Sequence, residues 1–446
     1  MVARICVCTL VLVVAGCAVE STHDRSYVSE GIKERTDYEL GPEREAGEFG
    51  LPEGVSLEDG LSLDEAVAVA LWNNAQLEMD LAALGFARAD LIEANMLANP
   101  VFSLLFPVGP KLLETRLTYP IDILWERPHR IAAAKRDAER LAEGLVEHGL
   151  GLIRDVQRGY ADLWLAEERA RLAEEEAELQ SQRAQISRRR LEAGDISELA
   201  ASGAQVESLR AMERARRAAK DVAVLRRRLG LLLGIISENP TLTLLPPDVG
   251  GESVPPIEIL VETALLARPD LRAAELGIEA AGERLGWEQA NILDFILWID
   301  GKDKGERPLE IGPGFAVEIP ILNQNSGRVA RVKAELEAAA RQYEALRQRV
   351  TLEVYEAHSE YASAREAYDF WRRDVLPVLE EAERQAQRSL AAGEVSYLDV
   401  LDAKTRVLEA RSHEVELMAG LGRRVAQLNY SVGRRMTGVR PASAGK

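Results

Sequence analysis

The chain makes the same short turn twice. Residues 391–404 read AAGEVSYLDVLDAK and residues 192–205 read EAGDISELAASGAQ. Both stretches have Ala-Gly, then an acidic residue, a β-branched residue and Ser, and both stand between long runs of helix-forming residues. Glycine reaches the positive φ of a chain reversal at little cost. The two stretches are therefore predicted to be tip turns, at 193–197 and 392–396, where one long helix ends and another returns.

The turns belong to an internal duplication. ALWNNAQL (70–77) aligns with ALLARPDL (264–271), and RIAAAK (130–135) aligns with RVARVK (328–333). Three single residues align with nearly the same offset: Pro120 with Pro320, Gly194 with Gly393, and Gly234 with Gly433. Matches in one order at a nearly constant offset indicate a repeated unit. The prediction is a first repeat at 61–236, a linker at 237–256, a second repeat at 257–434 and a tail at 435–446.

Each repeat contains one predicted β-hairpin, at 99–122 and at 291–321. Both segments have two short β-prone runs divided by a polar turn, VGPK in the first and GKDKGERP in the second. Aromatic and β-branched residues in the runs, with Gly and Pro between them, are typical of hairpins. An alternative is a buried two-stranded ribbon on a helical body.

The rest of each repeat is predicted to be long helix. Continuous helical patterns cover 124–192 and 324–391, and apolar residues recur every seven positions, as in a coiled coil. Each repeat also has two shorter predicted helices, at 62–98 and 197–234 in the first and at 257–290 and 396–434 in the second. In each repeat the two shorter helices together are about as long as the long helix, so they can lie end to end beside it. The expectation is a helical rod about 100 Å long, with strands at the end opposite the tip turns. Pro377 is expected to kink the second long helix.

The N-terminus reads as an export signal. Residues 1–16 have one cation and an apolar stretch too short to span a bilayer permanently, and VAGC resembles a bacterial lipobox. Cys17 is therefore predicted to be lipidated, with palmitate among its acyl chains, because it is the only cysteine outside the signal. Residues 17–60 are predicted to be a tether. The alternative is an ordinary signal peptide with an incidental cysteine.

Composition excludes several functional classes. The formal net charge is −18, and no basic face is apparent that could neutralise the phosphates of nucleic acid. Ala, Glu, Leu and Arg dominate, as in extended helices. The sequence has no phosphate loop, no nucleophile elbow, no Cys-x-x-Cys pair and no histidines at metal-ligand spacing. It indicates no enzyme, no cofactor and no metal site.

Four strands per chain have a consequence for assembly. An open sheet edge inside lipid leaves backbone groups unpaired, and membrane barrels start at eight strands. Two, three or more chains must therefore share one barrel, which makes an exported rod with strands a conduit. The alternative is a lipid-anchored periplasmic coiled-coil scaffold or adaptor that does not span the membrane. Such a scaffold needs no hairpin at matched places in the two repeats.

The repeats resemble a known family. LSLDEAVAVALWNNAQL (61–77), GPGFAVEIPILNQNSGRVARVKAELEAA (312–339) and GEVSYLDVLDAK (393–404) are similar to TolC-type outer-membrane efflux proteins over residues 61–434. IPILNQNSGR (319–328) is most similar to the heavy-metal resistance branch. The resemblance implies a mainly α fold with a β-barrel portion: a coiled-coil α-barrel and a twelve-stranded transmembrane barrel shared by a homotrimer. It also implies a passive duct in the outer membrane of a Gram-negative bacterium, a periplasmic adaptor and an inner-membrane transporter expected to be proton-driven.

The resemblance also implies functional residues at the tips. The two acids of LDVLDA, Asp399 and Asp402, correspond to acids that face the pore at the periplasmic constriction. Three copies of each would crowd like charges and raise some of their pKa values. From spacing alone, a solvated acidic face is the alternative. The residues expected to dock the adaptor are Gly194, Asp195, Ser197, Gly393, Glu394 and Ser396.

The sequence departs from the family at its polar latch. A tyrosine and an arginine flank the tip glycine in the best-known gate, and the corresponding positions here are Leu390 and Val395. The first repeat has Ala200 where an acidic partner often lies. Closure of the periplasmic end is therefore expected to use packing or other contacts.

Overall fold

The structure is a computed structural model that describes residues 22–45, 47–57, 60–106, 113–237, 242–248, 254–303 and 310–436. The chain forms two compact units, and both draw on both repeats. One consists of Asp80–Leu145 and Pro269–Arg347 with the N-terminal residues up to Val28. The other consists of Ser29–Met79, Val146–Arg268 and Gln348–Lys446. The duplication is thus a repeat of sequence and not a division into separate halves.

Helices dominate the described residues. They are α1 Arg25–Thr36, α2 Leu63–Asn73, α3 Ala75–Leu81, α4 Ala83–Asn95, α5 Ile123–Glu192, α6 Glu198–Leu232, α7 Ile257–Ala267, α8 Pro269–Ala290, α9 Ser326–Phe370, α10 Leu376–Ala391 and α11 Tyr397–Val432. The predicted long helix over 124–192 is confirmed, since α5 has 70 residues without a break. None of the helices in the described ranges combines the length and the apolar character that crossing a bilayer requires.

The strands form one antiparallel sheet in the first unit. Its order is β1 (Val101–Leu105), β2 (Leu113–Pro120), β3 (Phe295–Asp303) and β4 (Glu310–Val317). The two hairpins expected from sequence are present, and pairing of β2 with β3 joins them. The sheet is open, so β1 and β4 are its edges.

The two faces of the sheet differ in polarity. Because side chains alternate along a strand, the register places these exposed apolar side chains on one face: Phe102, Leu104, Leu117, Leu297, Ile299, Ile311 and Phe315. On the opposite face, Arg116 pairs with Asp300 at 2.6 Å across β2 and β3. This opposite face also exposes Val101, Leu105 and Ile296, so it is mixed, whereas the first face is predominantly apolar and suits a hydrocarbon environment.

The helix predicted over 62–98 is interrupted. Asn74 has ψ of 112°, which ends α2, and its Oδ1 accepts from the Leu77 N–H at 3.0 Å to start the next helix. Its amide donates to the Leu232 carbonyl oxygen at 3.0 Å. The prediction of one continuous helix was wrong because an asparagine side chain can replace helical hydrogen bonds of the backbone.

The second repeat breaks at the equivalent position. Arg268 has ψ of 124°, as expected for a residue before proline, and divides the predicted helix 257–290 into α7 and α8. In each repeat a glycine with positive φ lies against the break: Gly234 against Asn73, and Gly433 against Arg268. The duplication therefore extends to the way that the helix ends are packed.

A π-helical turn, Trp371–Val375, separates α9 from α10. Pro377 has no N–H and its ring crowds the carbonyl four residues earlier, so a wider turn before it relieves the crowding. The turn also shifts the buried stripe by one residue, because Leu376 is buried where the seven-residue spacing predicts Val375. A π turn thus interrupts the helix just before Pro377, and the kink expected there stays a prediction. Val375 follows Tyr361 and Tyr368 in the seven-residue repeat, but it is not buried as that repeat predicts.

The predicted tether 17–60 contains structure. α1 buries Val28 and Ile32, and Ile32 packs against Gly149, where the absence of a side chain makes room. Further on, Leu61 pairs with Leu244 of the linker, and the Tyr160 hydroxyl lies 2.8 Å from the Leu61 carbonyl oxygen. Polar composition concealed the helix, whose apolar positions are few.

Candidate functional site

The two tip turns have matching geometry. Gly194 has φ of 82° and Gly393 has φ of 78°. The Asp195 N–H donates to the Arg190 carbonyl at 2.8 Å, and the Glu394 N–H donates to the Ser389 carbonyl at 2.9 Å. A hydrogen bond from an N–H to the carbonyl five residues earlier, with a glycine of positive φ just before the donor, is the Schellman motif that ends many helices. The side chains of Asp195 and Glu394 are exposed beside it.

A serine caps the helix that leaves each turn. The Ser197 hydroxyl accepts from the Ala200 N–H at 3.3 Å, and the Ser396 hydroxyl accepts from the Asp399 N–H. Only the second turn completes a capping box, because Asp399 accepts from the Ser396 backbone N–H at 2.8 Å. The difference between the repeats at Ala200 and Asp399 is therefore a difference in helix capping.

The cap changes the expected protonation of Asp399. Hydrogen bonds from the hydroxyl and the backbone N–H of Ser396 hold the pKa of Asp399 below its ordinary value. Within one chain the shift is thus opposite to the predicted rise, because hydrogen bonds to the charged form favour it. The cap contributes stability above the unfolded-state pKa and loses it as pH falls through the lower folded-state pKa.

Asp402 pairs with a residue that sequence reasoning missed. Its carboxylate lies 2.6 Å from the Arg183 guanidinium of α5, and the Tyr397 hydroxyl lies 3.4 Å from Gln182 Oε1. These contacts hold the first turns of α11 beside the part of α5 that precedes the first tip turn. No local signal marks Arg183, because its partner belongs to the other repeat.

Replacing Asp399 by Ala is expected to loosen the start of α11. Loss of an N-terminal cap changes local opening by roughly fivefold, so hydrogen exchange at the Ser396 amide should be faster by about that factor. The reciprocal control is Ala200→Asp, which supplies the missing member of the capping box and should slow exchange at the Ser197 amide. Unchanged exchange in both variants would contradict the capping assignment.

The remaining predicted positions are placed as follows. Leu390 and Val395 flank the second tip glycine and are half-buried, so no polar latch is formed there. Cys17 lies outside the described residues. No cluster of three or more His, Cys, Asp or Glu side chains suited to a metal ion occurs in the part of the chain that the structure describes.

Comparisons with known proteins bear on most of the chain. A family model described as "Outer membrane efflux protein" matches residues 298–434. The cobalt-zinc-cadmium resistance protein CzcC of Cupriavidus metallidurans is 25% identical over 79% of this chain and 85% of its own length. The probable outer membrane lipoprotein SilC of Salmonella typhimurium is 25% identical over 70% of this chain and 69% of its own. The chain is thus similar to outer membrane efflux proteins over most of its length, and its residues 298–434 match the model of that family.

The fold of this chain is also found in solved structures. The Campylobacter jejuni CmeC outer membrane channel has a TM-score of 0.69 at 16% identity, covering 88% of this chain and 91% of that one. The predicted resemblance and the mainly helical fold class with a small sheet are confirmed. The family match ends at residue 434, and it includes the second tip turn.

Proposed function

We propose that the chain is the outer-membrane channel component of a tripartite efflux pump. The observation that carries this is the open four-stranded sheet, which has one predominantly apolar exposed face and a second face with charged side chains such as Arg116 and Asp300. Inside lipid, the edges β1 and β4 need strands from other chains. The similarity of residues 298–434 to outer membrane efflux proteins supports the same conclusion.

The proposed assembly is a homotrimer whose twelve strands close one barrel. Its partners are a periplasmic adaptor and an inner-membrane transporter driven by protons. The tips around Gly194 and Gly393 dock the adaptor, and the matched Schellman turns with exposed Asp195 and Glu394 support this. Cross-linking to the adaptor tests this docking. Cross-links at Ser197 and Ser396 would support it, and cross-links confined to the segments that connect the strands would contradict it.

The test is made on purified outer membranes. The channel proposal predicts trimers that resist dissociation in detergent until heated, with a β-sheet signal in the membrane fraction. A lipid-anchored periplasmic scaffold would give monomers or helical oligomers that alkaline washing or removal of the lipid releases. That second result would reject the channel and favour the scaffold.

The cargo proposed for the channel is a metal cation. The support is the name of CzcC, a cobalt-zinc-cadmium resistance protein, and the acidic balance of this chain, −18. Deletion of the gene should lower the tolerated concentration of such cations in a host that retains the adaptor and transporter. Unchanged tolerance of cations with lost tolerance of organic compounds would assign the channel to another cargo.

Asp399 and Asp402 are proposed to form two acidic rings at the periplasmic mouth. Both side chains retain exposed surface although Asp399 caps α11 and Asp402 pairs with Arg183. Changing both to Asn removes six charges from a trimer, so block of single-channel current by a trivalent cation on the periplasmic side should weaken severalfold. Unchanged block would show that these acids lie on a solvated outer face.

Lipidation of Cys17 is proposed as a second attachment to the outer membrane. A change of Cys17 to Ser should abolish incorporation of radiolabelled fatty acid, because the mature chain has no other cysteine. Part of the transport function should remain, since a closed barrel holds itself in the membrane. Label in the Cys17→Ser protein would contradict the proposal.

A further inference from the structure

The second unit contains four long helical segments in a fixed order. Ion pairs join α6 to α5, α5 to α11, and α11 to α9 and α10. Arg214–Glu176 and Arg226–Glu167 join α6 to α5. Arg423–Asp162 and Arg169–Glu416 join α5 to α11. Arg424–Glu360 joins α11 to α9, and Arg411–Glu380 joins α11 to α10. The outermost members of this row are α6 on one side and α9 with α10 on the other.

The outer face of α6 is apolar with a basic centre. Five large apolar side chains on it are exposed: Leu199, Val206, Leu209, Val224 and Leu231. Successive members are separated by close to whole numbers of helical turns, which brings them to one side of the helix. Arg216 and Lys220 lie among them, and no ion pair engages either within the described ranges. The opposite face buries Ala211, Val222 and Leu229 against the unit.

The outer face of α9 and α10 is apolar with an acidic centre. Its exposed large apolar side chains are Leu352, Tyr355, Phe370 and Val378, the last of which is 66% exposed. The π turn between Phe370 and Val378 keeps both on the same side. Glu366 lies between Tyr355 and Phe370 and has no ion pair in the described part of the chain. The two outer faces thus carry opposite charges within similar apolar surroundings.

The two faces also match in height above the tip turns. Leu209 follows Gly194 by the same number of residues as Val378 precedes Gly393, roughly four helical turns. Lys220 and Glu366 lie further from these glycines, each by roughly seven turns.

Leu231 and Tyr355 extend the match, since each lies roughly ten helical turns from its tip glycine. Both tip turns lie at the same end of the unit, since Arg183 of α5 pairs with Asp402 of α11. Because an α-helix rises by about 1.5 Å per residue, the members of each pair lie at nearly equal heights.

We propose that the outer face of α6 binds the outer face of α9 and α10 on a second copy of the chain, with Leu209 opposite Val378, Lys220 opposite Glu366 and Leu231 opposite Tyr355. Such a contact joins two different surfaces, and with the three-fold rotation of the proposed trimer its repetition closes a ring. Burial of the apolar side chains drives the contact, and the central charges fix its register. The inference deepens the proposed trimer and rests on it.

Cysteine pairs test the register in the full-length chain. Leu209→Cys with Val378→Cys should give covalent trimers under mild oxidation. Leu209→Cys with Leu352→Cys is the mismatched control, because these positions differ in height by roughly 39 Å along the helix axis. Covalent trimers of the first variant and their absence in the second are the expected result.

Other outcomes separate this inference from the trimer itself. Monomers after oxidation, in a protein that native mass spectrometry finds trimeric, would place the seam elsewhere and overturn the inference alone. An intramolecular disulfide would overturn it as well. Absence of any trimer in the wild type would instead reject the proposed function.

A charge exchange tests the central pair without disulfides. Lys220→Glu and Glu366→Lys should each lower the temperature at which the trimer dissociates, and the double variant should recover most of the loss. Arg188→Glu is the control, because Arg188 is exposed on α5, which is not an outer member of the row, and pairs with Glu192. Additive losses in the double variant would show that Lys220 and Glu366 do not meet.

Discussion

Replacing Arg268 by Leu is expected to lower the free energy of unfolding by about 3 kcal/mol, the range for removing one partner of a buried ion pair. The Arg268 side chain is 4% exposed and lies 2.6 Å from the Glu353 carboxylate. It also donates to the Ser431 carbonyl oxygen at 3.2 Å. The change leaves a carboxylate and a carbonyl without their donor at the break between α7 and α8. Chemical unfolding of the detergent-solubilised protein, followed by circular dichroism, measures the loss.

Two further variants make this prediction specific. Arg272→Leu removes an exposed arginine that pairs with Glu275 one helical turn away, and should cost less than about 1 kcal/mol. Arg268→Leu combined with Glu353→Leu should recover part of the loss, because no unpaired charge remains. Equal losses for Arg268→Leu and Arg272→Leu would contradict the account of this buried pair.

Replacing Gly234 by Ala is expected to cost about 3 kcal/mol, the upper end of the range for a strained backbone. Its φ of 71° strains any residue with a Cβ, on the order of 1–3 kcal/mol. The new Cβ would also lie 2.1 Å from the Asn73 carbonyl oxygen, so α2 or α6 must shift. The same unfolding measurement applies.

Two glycines that lack this contact serve as controls. Gly194 has φ of 82° with no atom near an added Cβ, so Gly194→Ala should cost only the strain, and a β-branched residue there somewhat more. Gly203 lies in α6 with open space, so Gly203→Ala should stabilise the helix by up to about 1 kcal/mol. A loss at Gly203 as large as at Gly234 would show that close packing at Asn73 is not the cause.

Local patterns predicted most of the elements. The hairpins at 99–122 and 291–321 contain the four strands, and the long helix 124–192 differs from α5 by one residue at its start. These predictions were correct because strand alternation, turn residues and helix periodicity are local patterns, each visible within a few consecutive residues. The tip turns were found for the same reason, since Gly194 and Gly393 stand at the ends of uninterrupted helical patterns.

Contacts between distant residues were not predictable. At the break after α2, the Asn74 side chain donates a hydrogen bond to the Leu232 carbonyl oxygen at the end of α6. The first hairpin and the whole of α5 separate these two residues in the sequence. Arg183 pairs with Asp402 across the two repeats, and α1 is stabilised by packing that its polar sequence does not reveal. The capping role of Asp399 is different, because Ser396 and Asp399 form a Ser-x-x-Asp pattern that is a local signature of a capping box.

Whether this chain forms a channel through the outer membrane is tested by the current that purified trimers carry across a planar lipid bilayer. We expect discrete conductance steps from the wild-type protein, with a cation preference that falls in the Asp399→Asn/Asp402→Asn variant. A preparation that inserts into liposomes as heat-resistant trimers but gives no conductance steps under any voltage would contradict the channel proposal.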